Sequence, residues 1–115
     1  MEENNKTPIE VTTLANTISE ILDQKKAMDV NIIHIGDRTV LADYFVIATG
    51  TSNTHVRALS AEVEYGVREK LSLEPSQIEG IGNWILMDYH SVVVHIFTNE
   101  AREFYKLDKL WAQNN

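Results

Sequence analysis

The apolar run at residues 44–48 constrains the fold of this 115-residue chain more than any other segment. Five consecutive apolar residues, Tyr-Phe-Val-Ile-Ala, fit a short central strand that is buried on both faces of a sheet. Thr49-Gly50-Thr51-Ser52 interrupts the run, and Thr51 or Ser52 is a suitable N-cap for a helix. The segment therefore predicts a strand in the middle of a sheet, followed directly by a helix.

Apolar residues at spacings of three and four predict three helices. The first stripe covers residues 11–22, and the second covers residues 56–71, after the cap just described. The third runs from Phe104 to Trp111, with Asn99 as the predicted cap. These helices each present one apolar face to a core.

Three more segments have the composition of strands. They are residues 30–35, 84–87 and 92–97. The last two are joined by the turn Asp88-Tyr89-His90-Ser91 and should form an antiparallel hairpin. The predicted order is α-β-β-α-β-β-α, which indicates an α/β fold with a mixed sheet and packed helices. We expect residues 1–8 to form a flexible tail and residues 9–115 a single domain.

The charge balance bears on the kind of partner. The chain has 17 acidic and 10 basic side chains, a formal net charge of −7, and its basic residues are scattered. Binding to nucleic acid through phosphates needs clustered Lys and Arg, so direct nucleic-acid binding is not expected. No apolar run approaches the ~20 residues that cross a bilayer, and no signal peptide is recognisable. Together with the absence of cysteine, this predicts a cytoplasmic protein with no membrane contact.

Histidine and glycine motifs give no clear catalytic or metal site. The four histidines (His34, His55, His90 and His95) show no metal-ligand spacing, so neither a metal nor another cofactor is expected. We interpret His95, inside a strand, as a structural, hydrogen-bonded residue. His55 lies in the first turn of a helix, where contact with a ligand is the alternative to a structural role.

The loop around Gly50 lies between a strand and a helix, where phosphate-binding loops occur. It matches no phosphate-binding motif. Nucleotidyl transfer needs paired acids that share two metal ions. The nearby acids, Glu62 and Glu64, are two residues apart on a predicted helix, where they point in different directions. An enzyme is therefore not predicted.

The segment at residues 84–89, Trp-Ile-Leu-Met-Asp-Tyr, has apolar residues at positions that point to both faces of a strand. One face must contact the core, and the other must contact a helix or a partner. Trp and Tyr are enriched in binding hot spots. The pattern alone leaves two interpretations open, a buried central strand and a binding surface.

Three stretches resemble the Iojap-related ribosomal silencing factor family. They are residues 42–58 (ADYFVIATGTS, then HV and A), residues 79–97 (EG, WILMDY and VVVHIF) and residues 102–111 (REFYKLDKLW). They occur in the family's order and spacing. The resemblance extends from Ile9 to Trp111.

The resemblance implies a nucleotidyltransferase-like fold without the catalytic acids. It also implies binding to protein fourteen of the large ribosomal subunit, which blocks joining of the small subunit and represses translation when nutrients are scarce. The partner-binding residues that it implies are Trp84, Ile85, Leu86, Asp88 and Tyr89, with Arg102 and Tyr105 as weaker candidates. Members are often dimers, so a homodimer is a further expectation.

We expect Trp84, Leu86, Asp88 and Tyr89 to face the partner, and Ile85 and Met87 to pack in the core. Two positions depart from the family's pattern: His90 replaces a turn glycine and Asp108 replaces a glutamate. The alternatives to a ribosomal silencing factor are a nucleotidyltransferase-type enzyme and a self-associating scaffold without a ribosomal role.

Overall fold

The computed structural model describes residues 10–112. The tail predicted at residues 1–8 lies outside this range. The helices are α1 (Val11–Gln24), α2 (Asn53–Leu71), α3 (Asn99–Tyr105) and α4 (Leu107–Ala112). The strands are β1 (Met28–His34), β2 (Tyr44–Gly50), β3 (Gln77–Glu79), β4 (Trp84–Asp88) and β5 (Val92–Thr98).

The predicted α/β class and mixed sheet are confirmed, and the element order differs in two places. The sequence does not predict the short strand β3, because all three of its residues are exposed and therefore show no alternation of buried and exposed positions. The predicted last helix is divided into α3 and α4 at Lys106, whose φ of 54° lies in the left-handed region. The order within the described residues is thus α-β-β-α-β-β-β-α-α.

The five strands form one sheet in the order β1-β2-β5-β4-β3. Strands β2 and β5 are parallel, and the other three pairs are antiparallel. The central strand β5 places His95 opposite Ile47 of β2 on one side and opposite Leu86 of β4 on the other. The predicted β4–β5 hairpin and the central position of β2 are therefore both present.

Helices α1 and α2 cover the first face of the sheet. Apolar residues of this face are fully buried on β2, β4 and β5, among them Val46, Met87 and Val94. Gly66 of α2 permits a close approach of the two helices, since a Cβ there would lie 2.6 Å from Cδ1 of Ile21. This face supplies most of the hydrophobic core.

Helices α3 and α4 cover the second face of the sheet less completely. Ile33, Ile47 and Phe97 are buried there, and Phe45, Trp84, Val93 and Trp111 are only partly buried. Helix α3 follows β5 directly, α4 follows α3, and both helices are short. Consequently the side chains of β4 on this face remain accessible.

Helices α2 and α3 are each capped at the N-terminus by the hydroxyl of a serine or threonine side chain. Ser52, one of the two residues predicted for this role, caps α2 because its Oγ accepts a hydrogen bond from the His55 N–H at 3.0 Å. The prediction of Asn99 as the cap of α3 is wrong. Thr98 holds that position, and its Oγ1 accepts from the Ala101 N–H at 3.3 Å.

Candidate partner-binding face

Strand β4 presents alternate side chains to the two faces of the sheet. Ile85 and Met87 are buried beneath α1 and α2, as expected for core residues. Trp84, Leu86 and Asp88 point to the second face and are half-buried. The strand is therefore neither wholly core nor wholly interface. Ile85, which the resemblance included among the partner-binding residues, lies on the core side.

Tyr89 does not face the same side as Trp84. It continues the alternation of Ile85 and Met87, its side chain is 6% exposed, and it belongs to the core of the first face. The expectation that Tyr89 faces the partner is therefore wrong. Its hydroxyl is buried and has no hydrogen-bond partner within residues 10–112. Burial, reinforced by the carboxylates of Glu64 and Glu74, raises the pKa of Tyr89.

A groove of about 330 Å³ runs along the second face of the sheet. Its apolar lining is Leu41, Phe45, Leu86, Val93 and Trp111, together with His95. Gln77, Glu79 and Asp88 line it at the side of β3. The groove is therefore apolar along its centre and carries two carboxylates at one rim.

An aromatic cluster lies beside the groove. The ring of Tyr105 is 4.5 Å from that of Trp84, and Phe97 lies beneath Trp84 at 5.0 Å, both measured between ring centroids. Tyr105 is 45% exposed. We call the surface made by Trp84, Leu86, Asp88, Tyr105 and the groove the open face. It brings together four of the residues predicted for partner binding.

His95 lies at the floor of the open face. The Trp84 Nε1–H donates to Nδ1 of His95 at 3.1 Å, so a neutral ring carries its proton on Nε2. The expectation of a structural, hydrogen-bonded histidine is confirmed. Burial lowers the pKa of His95 to about 4, although Asp108 opposes that shift. The ring is therefore neutral at pH 7.

Arg102 uses its guanidinium inside the protein. Its Nε and one terminal nitrogen bind the two carboxylate oxygens of Asp108 at 3.0 and 2.6 Å. The other terminal nitrogen donates to Thr49 Oγ1 at 2.8 Å and to the Asp29 carbonyl at 2.7 Å. The side chain is 13% exposed. The prediction of Arg102 as a partner contact is corrected, because the residue instead fixes α3 and α4 against the sheet.

Asp108 completes this network despite its shorter reach than glutamate. Burial alone would raise its pKa, but hydrogen bonds from Arg102 and Asn31 outweigh burial and hold the pKa of Asp108 below its usual value. The carboxylate thus stays charged, and the bidentate pair is of the strong, geometrically defined kind. Asn31 belongs to β1, so the pair also attaches α4 to the edge of the sheet.

The loop at Gly50 and His55 serves the fold. His55 Nδ1 accepts from the Thr51 N–H at 2.9 Å, and its Nε2 lies 3.2 Å from the Lys25 carbonyl, to which it donates. Both ring nitrogens are therefore used to join the end of α1 to the start of α2. Among residues 10–112, no group of three His, Asp or Glu side chains is placed to hold a metal ion.

The β4–β5 turn has a backbone geometry at position 90 that suits glycine, the residue that His90 replaces. His90 has a φ of 71°, a conformation that glycine adopts without strain. The Asp88 carboxylate accepts from the His90 N–H at 2.7 Å, and the Tyr89 N–H donates to the Val92 carbonyl. A positive φ is thus required here, and the side chain of Asp88 stabilises the turn.

Several residues of the open face were not found from the sequence. Phe45 and Val93 lie opposite each other on β2 and β5. Their place in the open face can be inferred only when the parallel register of these strands is known. Leu41 comes from the loop before β2, where no periodic hydrophobic pattern predicts the position of a side chain. Trp111 belongs to an apolar helical stripe and, like Trp84, is an aromatic of the type enriched in binding hot spots, but the sequence does not indicate that it lines the groove.

The fold and the open face together define a small α/β protein with a binding surface built on one side of a mixed sheet. The profile of the family described as ribosomal silencing factor during starvation matches residues 8–115. The chain belongs to this family, whose members are ribosome-binding factors and not enzymes.

Individual relatives agree with this assignment. Ribosomal silencing factor RsfS of Bacillus subtilis is 34% identical over 92 residues, which is 78% of this chain and 77% of that protein. A protein named Iojap-related, mitochondrial, from Arabidopsis thaliana is 33% identical over 109 residues, 90% of this chain and 58% of the longer relative. A crystal structure of a Chromobacterium violaceum protein superposes with a TM-score of 0.86 at 28% identity, covering 93% and 90% of the two chains.

No helix within residues 10–112 combines the length and the apolar composition needed to span a membrane.

Proposed function

We propose that this chain docks on the large ribosomal subunit through the open face, against protein fourteen of that subunit. The bound domain occupies space that the small subunit needs and so prevents the two subunits from joining. The outcome is repression of translation when nutrients are limiting. The observation that carries this proposal is the half-buried row of Trp84, Leu86 and Asp88 beside an apolar groove.

The composition of the open face supports a protein interface. Trp84 and Tyr105 are rigid amphipathic aromatics, a type of side chain that contributes strongly to binding hot spots. A standard interface needs about 800 Å² from each partner. One face of a domain with a total accessible surface of 6642 Å² is large enough to supply it.

The charge of the chain supports the same partner. Its formal net charge is −7, and ribosomal proteins are commonly basic. Opposite charges accelerate encounter and orient the two proteins as they approach. A steric mechanism also requires no catalytic group, in agreement with the non-enzymatic character of the family.

Two further expectations belong to this proposal. We propose the cytoplasm as its place of action, where a chain of this kind meets ribosomes. We also propose a homodimer in which partner binding and self-association compete for the exposed apolar residues around the groove, such as Leu41. Sedimentation at several protein concentrations tests the dimer, and a sedimentation coefficient independent of concentration and equal to that of a monomer would contradict it.

Light scattering of purified ribosomal subunits tests the proposed function. The protein is added to large subunits before small subunits and magnesium are supplied, and the increase in scattering reports joining. Pre-incubated protein should suppress joining in proportion to its occupancy of the large subunit. Full joining at saturating protein would show that the chain does not act by this mechanism.

A further inference from the structure

The Nε2–H group of His95 is a buried donor without an acceptor. Within residues 10–112 this nitrogen has essentially no exposure and no hydrogen-bond partner. The whole residue is 4% exposed. Nδ1 accepts the Trp84 proton, so Nε2 is the protonated nitrogen of the neutral ring. An orphaned donor of this kind destabilises a fold, because water is lost and nothing replaces it.

The neighbours of His95 give its free nitrogen no alternative. Its cross-strand partners, Ile47 and Leu86, are apolar. The rings of Phe45 and His95 are inclined at 70° with their centroids 4.5 Å apart, and an aromatic ring is only a weak acceptor. A valine or isoleucine would avoid the unpaired donor but would leave the Trp84 N–H without its acceptor. The hydrogen bond from Trp84 uses only one of the two ring nitrogens and gives no role to the other.

Both ring nitrogens of His95 relate to the open face. Nδ1 accepts from Trp84, which does not line the groove, and Nε2 is the ring nitrogen left without a partner within residues 10–112. His95 itself lines the groove beside apolar side chains such as Phe45 and Leu86. It thus brings one buried polar donor to a lining whose centre is apolar.

We infer that His95 is a specificity-determining residue of the open face, and that its Nε2–H, covered in the free protein, is uncovered on binding and donates to a carbonyl oxygen of a protein segment in the groove. This inference rests on the proposed function and adds the chemistry of the occupant. The segment carries an apolar side chain that packs on Phe45 and Leu86. It carries a cationic side chain at the rim, where Asp88 and Glu79 supply two carboxylates and no lysine or arginine among residues 10–112 lines the groove.

This chemistry explains how the open face distinguishes its partner from other apolar surfaces. A segment that brings an acceptor gains a hydrogen bond to this donor, whereas an occupant without one leaves the donor unpaired, as it is in the free protein. A segment with a carbonyl at one position and a positive charge at another is therefore favoured. Apolar contact alone would not impose either condition.

Two substitutions separate the two nitrogens of His95. Asn carries its amide oxygen near the position of Nδ1, so His95→Asn keeps an acceptor for Trp84 but removes the donor at Nε2. Gln reaches the position of Nε2, so His95→Gln keeps a donor to the groove but removes the acceptor for Trp84. Thermal melts of both variants show whether each is folded.

Co-sedimentation with purified large subunits is the measurement. We expect His95→Asn to bind about tenfold more weakly than wild type, and His95→Gln to bind more tightly than His95→Asn. The reverse order would assign His95 only to holding Trp84 and would overturn the inference. If wild type itself does not co-sediment, the proposed function fails, which is a separate outcome.

A measurement on the wild-type protein does not depend on the folding of the variants. Nuclear magnetic resonance of the ¹⁵N-labelled chain reports the His95 Nε2–H proton before and after addition of purified protein fourteen. A downfield shift of that proton on binding supports a new hydrogen bond. Binding that leaves this proton signal unchanged would contradict the inference.

Discussion

Trp84 and His95 are joined by a hydrogen bond of 3.1 Å from the indole Nε1 to the imidazole Nδ1. The two residues lie on neighbouring strands and on the same face of the sheet, with Trp84 opposite Phe97 and His95 opposite Leu86. The bond fixes the exposed edge of Trp84 and selects the tautomer of His95. The Trp84 ring is therefore held in one orientation before any partner arrives, which lowers the entropy that this side chain loses on binding.

Removal of the Tyr89 hydroxyl tests the reassignment of that residue to the core. Because the hydroxyl is buried and has no hydrogen-bond partner in the described part of the chain, Tyr89→Phe should raise the free energy of unfolding by about 1 kcal/mol. Urea denaturation measures this change. Ribosome binding should not change, since the side chain lies on the side of α1 and α2. A folded Tyr89→Phe variant with weakened binding would return Tyr89 to the interface.

His90 is expected to strain the β4–β5 turn. Its φ of 71° is unstrained for glycine, and His90→Gly should stabilise the fold by about 1 kcal/mol after the greater entropy of unfolded glycine is subtracted. Thermal unfolding gives the difference. His34→Gly is the contrasting substitution, because glycine within a strand should destabilise. A lower melting temperature for His90→Gly than for wild type would refute the strain.

Arg102→Lys tests the bidentate pair that holds α3 and α4. Lysine cannot supply the planar fork that binds both oxygens of Asp108 while also reaching Thr49. We expect a loss of about 2 kcal/mol in unfolding free energy, together with weaker ribosome binding because Tyr105 and Trp111 lose their support. Arg68→Lys is the matched control, since the Arg68–Glu74 pair is exposed at 3.7 Å and contributes little. Equal stabilities of the two variants would contradict the assigned role.

Stability should fall in mild acid because of His95. Its pKa is about 4 in the folded protein and near 6.5 when unfolded, so the unfolded chain binds the proton more readily. The contribution is complete above pH 6.5 and is lost progressively as the pH falls to about 4, with a total on the order of 3 kcal/mol. Asp108, whose pKa is lowered, adds a loss at still lower pH.

Urea denaturation between pH 7 and pH 4 measures this dependence, and His95→Asn serves as the comparison. The wild-type protein should lose more stability over this interval than the variant. Parallel curves for the two proteins would show that His95 does not titrate as the structure indicates.

The sequence predicted the parts of the fold that depend on local patterns. The run at residues 44–48 identified β2 as an interior strand of the sheet, and the alternation in β4 placed Ile85 and Met87 in the core. It did not indicate that Tyr89 continues this alternation. Tyr89 follows the last paired residue of the strand, Asp88, and belongs to the turn, where a strand pattern no longer predicts which face a side chain takes.

The composition of the open face was less predictable for a different reason. Leu41, Phe45 and Trp111 come from a loop, a strand and a terminal helix that are distant in sequence and meet only in the folded chain. The role of Arg102 likewise depends on Thr49 and Asp29, more than fifty residues before it in the chain. Contacts over such separations leave no periodic signal in the sequence.

Co-sedimentation of Leu86→Glu with purified large subunits tests the central claim most directly. Leu86 lies at the middle of the open face, whereas Tyr65, 57% exposed on α2, lies on the other side of the sheet. Tyr65→Glu introduces the same charge and serves as the control, and thermal melts verify that both variants fold. The account predicts at least a tenfold loss of binding for Leu86→Glu, about 1.4 kcal/mol or more, and near wild-type binding for Tyr65→Glu. Equal binding by the two folded variants would contradict docking through the open face.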